Sequence, residues 1–183
     1  MKLLSGLLLA AALLVQPAAG GDKTTVTLDG LKSDAPAGWK MQEPANKFRA
    51  YQFVLPKATG DKEDGELVIF YFGAGGGGSP GDNLKRWKGM FEPPQGKTID
   101  DVSKVDKFKV GNIEVTYLDV QGIYLAKFPP FDPNAKITRK ADYRRLGVVF
   151  ASDNGPYFIT LTGPAKTVEE QKKSFDGWLK AFK

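Results

Sequence analysis

Residues 66–72, Glu-Leu-Val-Ile-Phe-Tyr-Phe, limit the fold more than any other stretch of this sequence. In an extended chain successive side chains point to opposite faces, so Leu67, Ile69 and Tyr71 share one face and Val68, Phe70 and Phe72 the other. Both faces are apolar. Such a strand is stable only when material covers it on both sides, which places it centrally in a sheet between two layers. The strand candidate before it, Arg49–Leu55, alternates instead: Tyr51, Phe53 and Leu55 share one face, and Pro56 ends the run.

The material for the two layers lies downstream. After a glycine cluster at 73–78, Ser79, Pro80 and Asp82 supply an N-cap, a first helical residue and a capping-box spacing. Leu84, Trp87 and Phe91, with Met90 beside them, form an apolar stripe that leaves Lys85, Arg86 and Lys88 outside it, and Pro93 and Pro94 stop the helix. A second amphipathic helix closes the sequence, with Thr167 and Glu170 at capping-box spacing and Val168, Phe175, Trp178, Leu179 and Phe182 along one stripe. Between the helices, KVDKFKV and IEVTYLDV flank Gly111-Asn112, and RLGVVFAS and YFITLTG flank DNGP, two hairpin signals. Upstream, TVTL reads as one short strand followed by a loop with two prolines, with Trp39 packing the sheet's edge. The order strand, strand, strand, helix, hairpin, hairpin, helix implies an α+β fold: an antiparallel β-sheet flanked by helices on both sides.

The first residues concern address. Lys2, the apolar run LLSGLLLAAALLV and the small residues up to Gly20 have the layout of a secretory signal peptide, so residues 1–20 are expected to be removed and 21–183 to form a single α+β domain. The apolar run is shorter than the ~20 residues a spanning helix needs, so no stable membrane anchor is expected after cleavage. With no cysteine there is neither a disulfide framework nor a lipid-modified residue, and the expected location is secreted or periplasmic. A domain of this length buries about 68–70% of its unfolded surface, enough for a core without covalent staples. The absence of both His and Cys removes Ser-His-Asp and Cys-His mechanisms and zinc sites built on nitrogen or sulfur. The net charge of +5 is scattered, with no basic stripe interleaved with aromatics, so nucleic acid is not an expected partner.

Gly73, Gly75 and Gly78 match G-x-G-x-x-G at the start of a helix. A dinucleotide fold would continue with a parallel strand and an acidic residue about 20 positions on, whereas FEPPQGKTIDDVSK follows here, and no Gly-Lys-Ser/Thr completes a P-loop. Two readings stay open: a flexible corner, or an anion site at the helix N-terminus formed by Gly75, Gly76, Gly77, Gly78, Ser79 and Arg86. The remaining polar clusters carry less. DKEDGE lacks the ligand alternation of a calcium loop and reads as a solvated turn. Asp100 and Asp101 are sequence neighbours that point apart, and no serine stands in a G-x-S-x-G or S-x-x-K pattern. No catalytic residue, metal site or cofactor is expected.

Residues 128–145 read as a proline-stiffened loop. Phe128 and Phe131 stand among prolines, and Lys136, Arg139, Lys140, Arg144 and Arg145 follow. Aromatic and basic tips on a stiff loop suit docking to an acidic partner or anionic surface, which makes Phe128, Phe131, Lys136, Arg139 and Lys140 the candidate partner-binding residues. The alternative is a covering flap with its phenylalanines turned inward.

The segments PAGW, FVLP, YFGAGGGGSPGDNLKRW and YFITLTGPAKTVEEQKKSF together resemble exported bacterial proteins of the Mog1/PsbP-like fold. The resemblance implies an α/β/α sandwich around an antiparallel sheet, in agreement with the reading from the residues. Better-known members of that fold class are non-enzymatic; one assists photosystem II and another binds the Ran GTPase, and neither function attaches to a motif in this sequence. The expectation is an exported, non-catalytic protein that binds a partner protein or small ligand in the cell envelope. The alternatives are an anion-binding module at the glycine loop, and behind it a carboxylate or Ser-Lys type hydrolase.

Overall fold

The computed structural model describes residues 24–129, 132 and 134–183, so the expected leader over residues 1–20 and the candidate Phe131 lie outside the described residues. β1 (Thr25–Leu28) and β2 (Leu31–Asp34) form a separate hairpin across Asp29-Gly30. The other strands are β3 (Lys40–Gln42), β4 (Arg49–Leu55), β5 (Gly65–Tyr71), β6 (Phe91–Glu92), β7 (Ser103–Val110), β8 (Ile113–Phe128), β9 (Lys136–Ser152) and β10 (Gly155–Pro164). They make one sheet, antiparallel at every pairing, in the order β3-β4-β5-β10-β9-β8. The outer edge of β8 is shared end to end by β7, which pairs with residues 113–120, and β6, which pairs with Ile123 and Tyr124.

Helices α1 (Pro80–Lys88) and α2 (Ala165–Lys180) cover opposite faces. The doubly apolar strand explains why both are needed. β5 lies between β4 and β10, with Leu67 and Ile69 in the core under α2 and Phe70 and Phe72 packed under α1. The α2 stripe of Val168, Phe175, Trp178 and Leu179, continued by Phe182, is buried against Phe53, Val148, Phe150, Ile159 and Leu161, and the β1–β2 hairpin adds Val26 and Leu28. Trp39 stands beside the edge strand β3, as expected, with its ring 5.4 Å from that of Trp178 and 6.1 Å from that of Phe53. Under α1, Trp87 seats on Gly147, where a Cβ would lie 2.5 Å from the indole; a glycine on β9 is what lets this helix approach the sheet.

The structure corrects several expectations. TVTL is the first strand of a hairpin, because Asp-Gly is a favoured two-residue turn and the chain reverses there. The DNGP turn is tighter than expected: Asp153-Asn154 makes the turn, and Gly155 and Pro156 already belong to β10. α1 stops at Lys88 with Gly89 as its C-cap, so Phe91 reaches the same core from β6 before the two prolines. α2 starts at Ala165, and Thr167 is no N-cap: its backbone N–H and Oγ1 donate to Asp61, at 2.9 and 2.6 Å, from the β4–β5 loop.

The largest correction concerns residues 128–145. β8 continues through Phe128 and β9 begins at Lys136, so most of the expected loop is strand, and Lys136, Arg139, Lys140, Arg144 and Arg145 are ladder residues. In the ribbon Lys127 and Phe128 on one strand and residues 136–139 on the other are exposed on both faces, so this part carries no apolar period by which sequence could reveal it. A register shift between Gly122 and Tyr124, with Asp142 at φ 53°, also breaks the alternation where the ribbon joins the sheet.

Candidate functional site

Two regions were candidates from the sequence. In the first, the glycine loop, Ser79 and Asp82 form the expected capping box. Ser79 Oγ accepts from the Asp82 amide at 3.1 Å and donates to Asp82 Oδ2 at 2.6 Å, while the Ser79 amide donates to the same carboxylate. These bonds hold the Asp82 carboxyl below its ordinary range. A carboxylate of the chain itself thus occupies the helix N-terminus. Gly77 sits at φ 83°, and a Cβ there would lie 2.2 Å from the Phe158 ring, so this corner is shaped by close packing. Arg86 donates to Asn83 Oδ1, and Asn83 Nδ2 donates to the carbonyls of Gly77 and Ser79 at 2.9 Å. Asn83, which the sequence reading did not single out, is therefore the buried link between loop and helix. Its one sequence signal is a short polar side chain beside the apolar stripe of an amphipathic helix.

The second region, the β8–β9 ribbon, separates into a braced base and an exposed end. At the base the Leu125 amide donates to the Met90 carbonyl at 2.8 Å, and Arg139 pairs with Glu92 of β6. Lys140 pairs with Glu63, and Tyr143 donates to the same carboxylate at 2.6 Å. Lys140 and Tyr143 hold the Glu63 carboxyl below its usual range, and burial pushes the Tyr143 phenol up. The Tyr143 ring stacks on that of Tyr124, with centroids 5.8 Å apart. Beyond this base, Ala126–Phe128 pairs with Lys136–Thr138 and with no other strand among the described residues. Phe128 is 77% exposed and Ile137 50%, each beside a lysine of the facing strand, Lys136 and Lys127.

The six glycine-loop candidates lie on the α1 side of the sheet, and Phe128, Lys136, Arg139 and Lys140 lie together on the ribbon. The structure does not bring the two sets into one pocket. The carboxylates of DKEDGE, read as a solvated turn, are distributed among separate elements: Asp61 to α2, Glu63 to the ribbon, and Asp64 to the Lys57 amide. Asp100 pairs with Lys88 and Asp101 accepts from Thr98, so these neighbours do diverge. A shallow groove of about 520 Å³ between α1 and the turn before β7 is walled by Leu84, Phe91 and Ile99. Among the described residues no helix is long and apolar enough to cross a membrane.

No family model matches the chain, and no curated protein matches it. Among solved structures it is similar to the cyanobacterial PsbP protein, CyanoP, of Synechocystis, with a TM-score of 0.51 at 12% identity over 93% of this chain and 98% of that one. It is also similar to PA94, a Pseudomonas aeruginosa protein of unknown function, with a TM-score of 0.46 at 12% identity over 87% of this chain and 95% of that one. The chain has a PsbP-like α+β fold. At this identity the likeness concerns the fold alone, and function has to be argued from the site.

Proposed function

We propose that the protein is an exported, non-catalytic binding module of the cell envelope that holds an acidic partner protein through the end of its β8–β9 ribbon. The observation that supports this is the contrast within the ribbon. Its base is fixed by Glu63 and Glu92, while its end presents Phe128 and Ile137 to solvent. Phe128 and Lys136 share one face of the ribbon and Ile137 and Lys127 the other. Each face thus holds an apolar side chain beside a lysine on a braced ribbon, a preorganised arrangement that lowers the entropy lost on docking. Lys127 and Lys136 flank them and have no ion-pair partner among the described residues, which suits an acidic surface.

The test is capture from an envelope extract by immobilised protein. The wild type is expected to retain a defined partner. Phe128→Ser with Ile137→Ser, and separately Lys127→Glu with Lys136→Glu, are expected to lose it while shifting stability by no more than ~0.5 kcal/mol, as for exposed positions. Undiminished capture by both double variants rules the ribbon out. For export, N-terminal sequencing of protein from the periplasm or medium is expected to start near Gly21, and a cytoplasmic product retaining Met1 refutes it.

A further inference from the structure

Arg144 and Arg145 are consecutive on β9 and therefore point to opposite faces. Arg144, on the α2 side, is fully compensated: Nε and Nη2 each donate to a different oxygen of Asp119 at 2.7 Å, and Nη1 donates to Glu169. Arg145, on the α1 side, is 6% exposed, and among the described residues no carboxylate lies within ion-pair distance of it. Its acceptors are all neutral: Thr162 Oγ1 at 2.8 Å, Met90 Sδ at 2.8 Å and the Tyr124 hydroxyl at 3.1 Å. The rings of Tyr124 and Phe91 lie 5.1 and 5.9 Å from the guanidinium carbon. Glu66, two strands away across Thr162, is held by Arg49 and Gln52 at 3.0 Å; it favours the charged form of Arg145 only from beyond contact distance, and Arg86 opposes it.

Three features around Arg145 match what an anion requires. Burying a guanidinium without a counter-charge is unfavourable, so the site has an unmet electrostatic demand. Thr162 and Tyr124 accept from Arg145 and so direct their own O–H groups elsewhere. Among the described residues neither donates to a protein acceptor, and with both residues partly exposed these O–H groups are open to an incoming acceptor. The third place at the guanidinium is filled by the thioether of Met90, a flexible and weakly accepting group on the turn after α1.

We propose that Arg145 is the centre of a site for a small monocarboxylate, which displaces the Met90 thioether and accepts from the guanidinium and from the Tyr124 and Thr162 hydroxyls. One negative charge balances the one uncompensated guanidinium. The Phe91 and Tyr124 rings favour a short apolar substituent, and Glu66 disfavours a polyanion. This proposal is independent of the ribbon and of the glycine loop.

The test titrates the purified protein with sodium butyrate against sodium chloride at matched ionic strength, read by thermal unfolding and by saturation-transfer NMR on the butyrate methyl. A saturable rise in the unfolding midpoint is expected with butyrate only. Tyr124→Phe keeps the ring and is expected to weaken apparent affinity by about tenfold, the loss of one charge-assisted bond. Arg145→Met is expected to abolish binding and Met90→Ala to tighten it. The proposal is overturned if butyrate has no saturable effect on the wild type, or if the effect survives both Tyr124→Phe and Arg145→Met. It is equally overturned if inorganic phosphate gives the same shift with the same dependence on the variants.

Discussion

The two faces of the sheet are built to different standards. The α2 face is closed by a 16-residue helix and the β1–β2 hairpin, and among the described residues its core gathers twenty buried ones, from Val26 to Phe182. The α1 face is closed by a 9-residue helix over a core of seven. The two neighbouring arginines follow the same division. On the α2 side Ser33 donates to the Trp178 carbonyl, Tyr117 donates to Asp176, and Arg144 meets two carboxylates. On the α1 side Arg145 is buried among neutral acceptors. Since folding free energy is dominated by apolar burial, the α2 face holds the chain folded. The thinner α1 face, together with the ribbon beside it, carries the groups that packing has not used.

The largest expected effect tests that division. Truncating a buried large aromatic to alanine typically costs about 3–5 kcal/mol, a large share of the ~5–15 kcal/mol of a whole domain. Trp178→Ala is therefore expected to lower the urea midpoint sharply, whereas Lys180→Ala, at an exposed position, barely moves it. Equal, small effects at both positions would mean that α2 is not the packed face and that the comparison is wrong.

Next in size is the ion pair on the same face. Arg144→Met leaves Asp119 facing the sheet without its bidentate partner. Breaking a well-buried pair costs ~3–5 kcal/mol, and with the two side chains 15% and 16% exposed a loss of about 2–4 is expected. Denaturant unfolding measures it; a loss below ~1 kcal/mol would place this pair with surface ion pairs.

The helix starts show how far sequence reached. At α1 the cap is local: Ser79, Pro80 and Asp82 lie within one turn, and all three act as their spacing predicts. At α2 the spacing of Thr167 and Glu170 pointed to the wrong residue. The carboxylate that serves this helix is Asp61, brought there by the fold from a loop that reads as solvated. The same distinction runs through the molecule. β5 declared its two coverings, and the α2 stripe declared its core, because burial leaves a periodic mark. The end of the ribbon, Lys127 and Phe128 against residues 136–139, left none, being exposed on both faces. The isolation of Arg145 was equally silent, since it depends on which residues β8, β10 and the turn after α1 bring near it. Asp61→Ala is accordingly expected to cost ~1 kcal/mol, the usual value of a helix cap, measured again by denaturant midpoint. An unchanged midpoint would show that α2 needs no cap from the loop.

The smallest expected effect sharpens the comparison most. Arg145→Met removes a buried charge with no carboxylate to strand, and the thioether side chain is close in length and fits among Phe91, Tyr124 and Met90. Replacing buried ionic groups by apolar ones of similar volume is often neutral or stabilising, and Thr162 and Tyr124, both partly exposed, keep access to water. The unfolding midpoint of Arg145→Met is therefore expected at or above that of the wild type, in the direction opposite to Arg144→Met. Adjacent arginines with opposite signs would show that one stabilises the fold while the other is retained at the fold's expense, as a binding group is. A loss at Arg145→Met as large as that at Arg144→Met would instead make both arginines structural and remove the distinction between the faces.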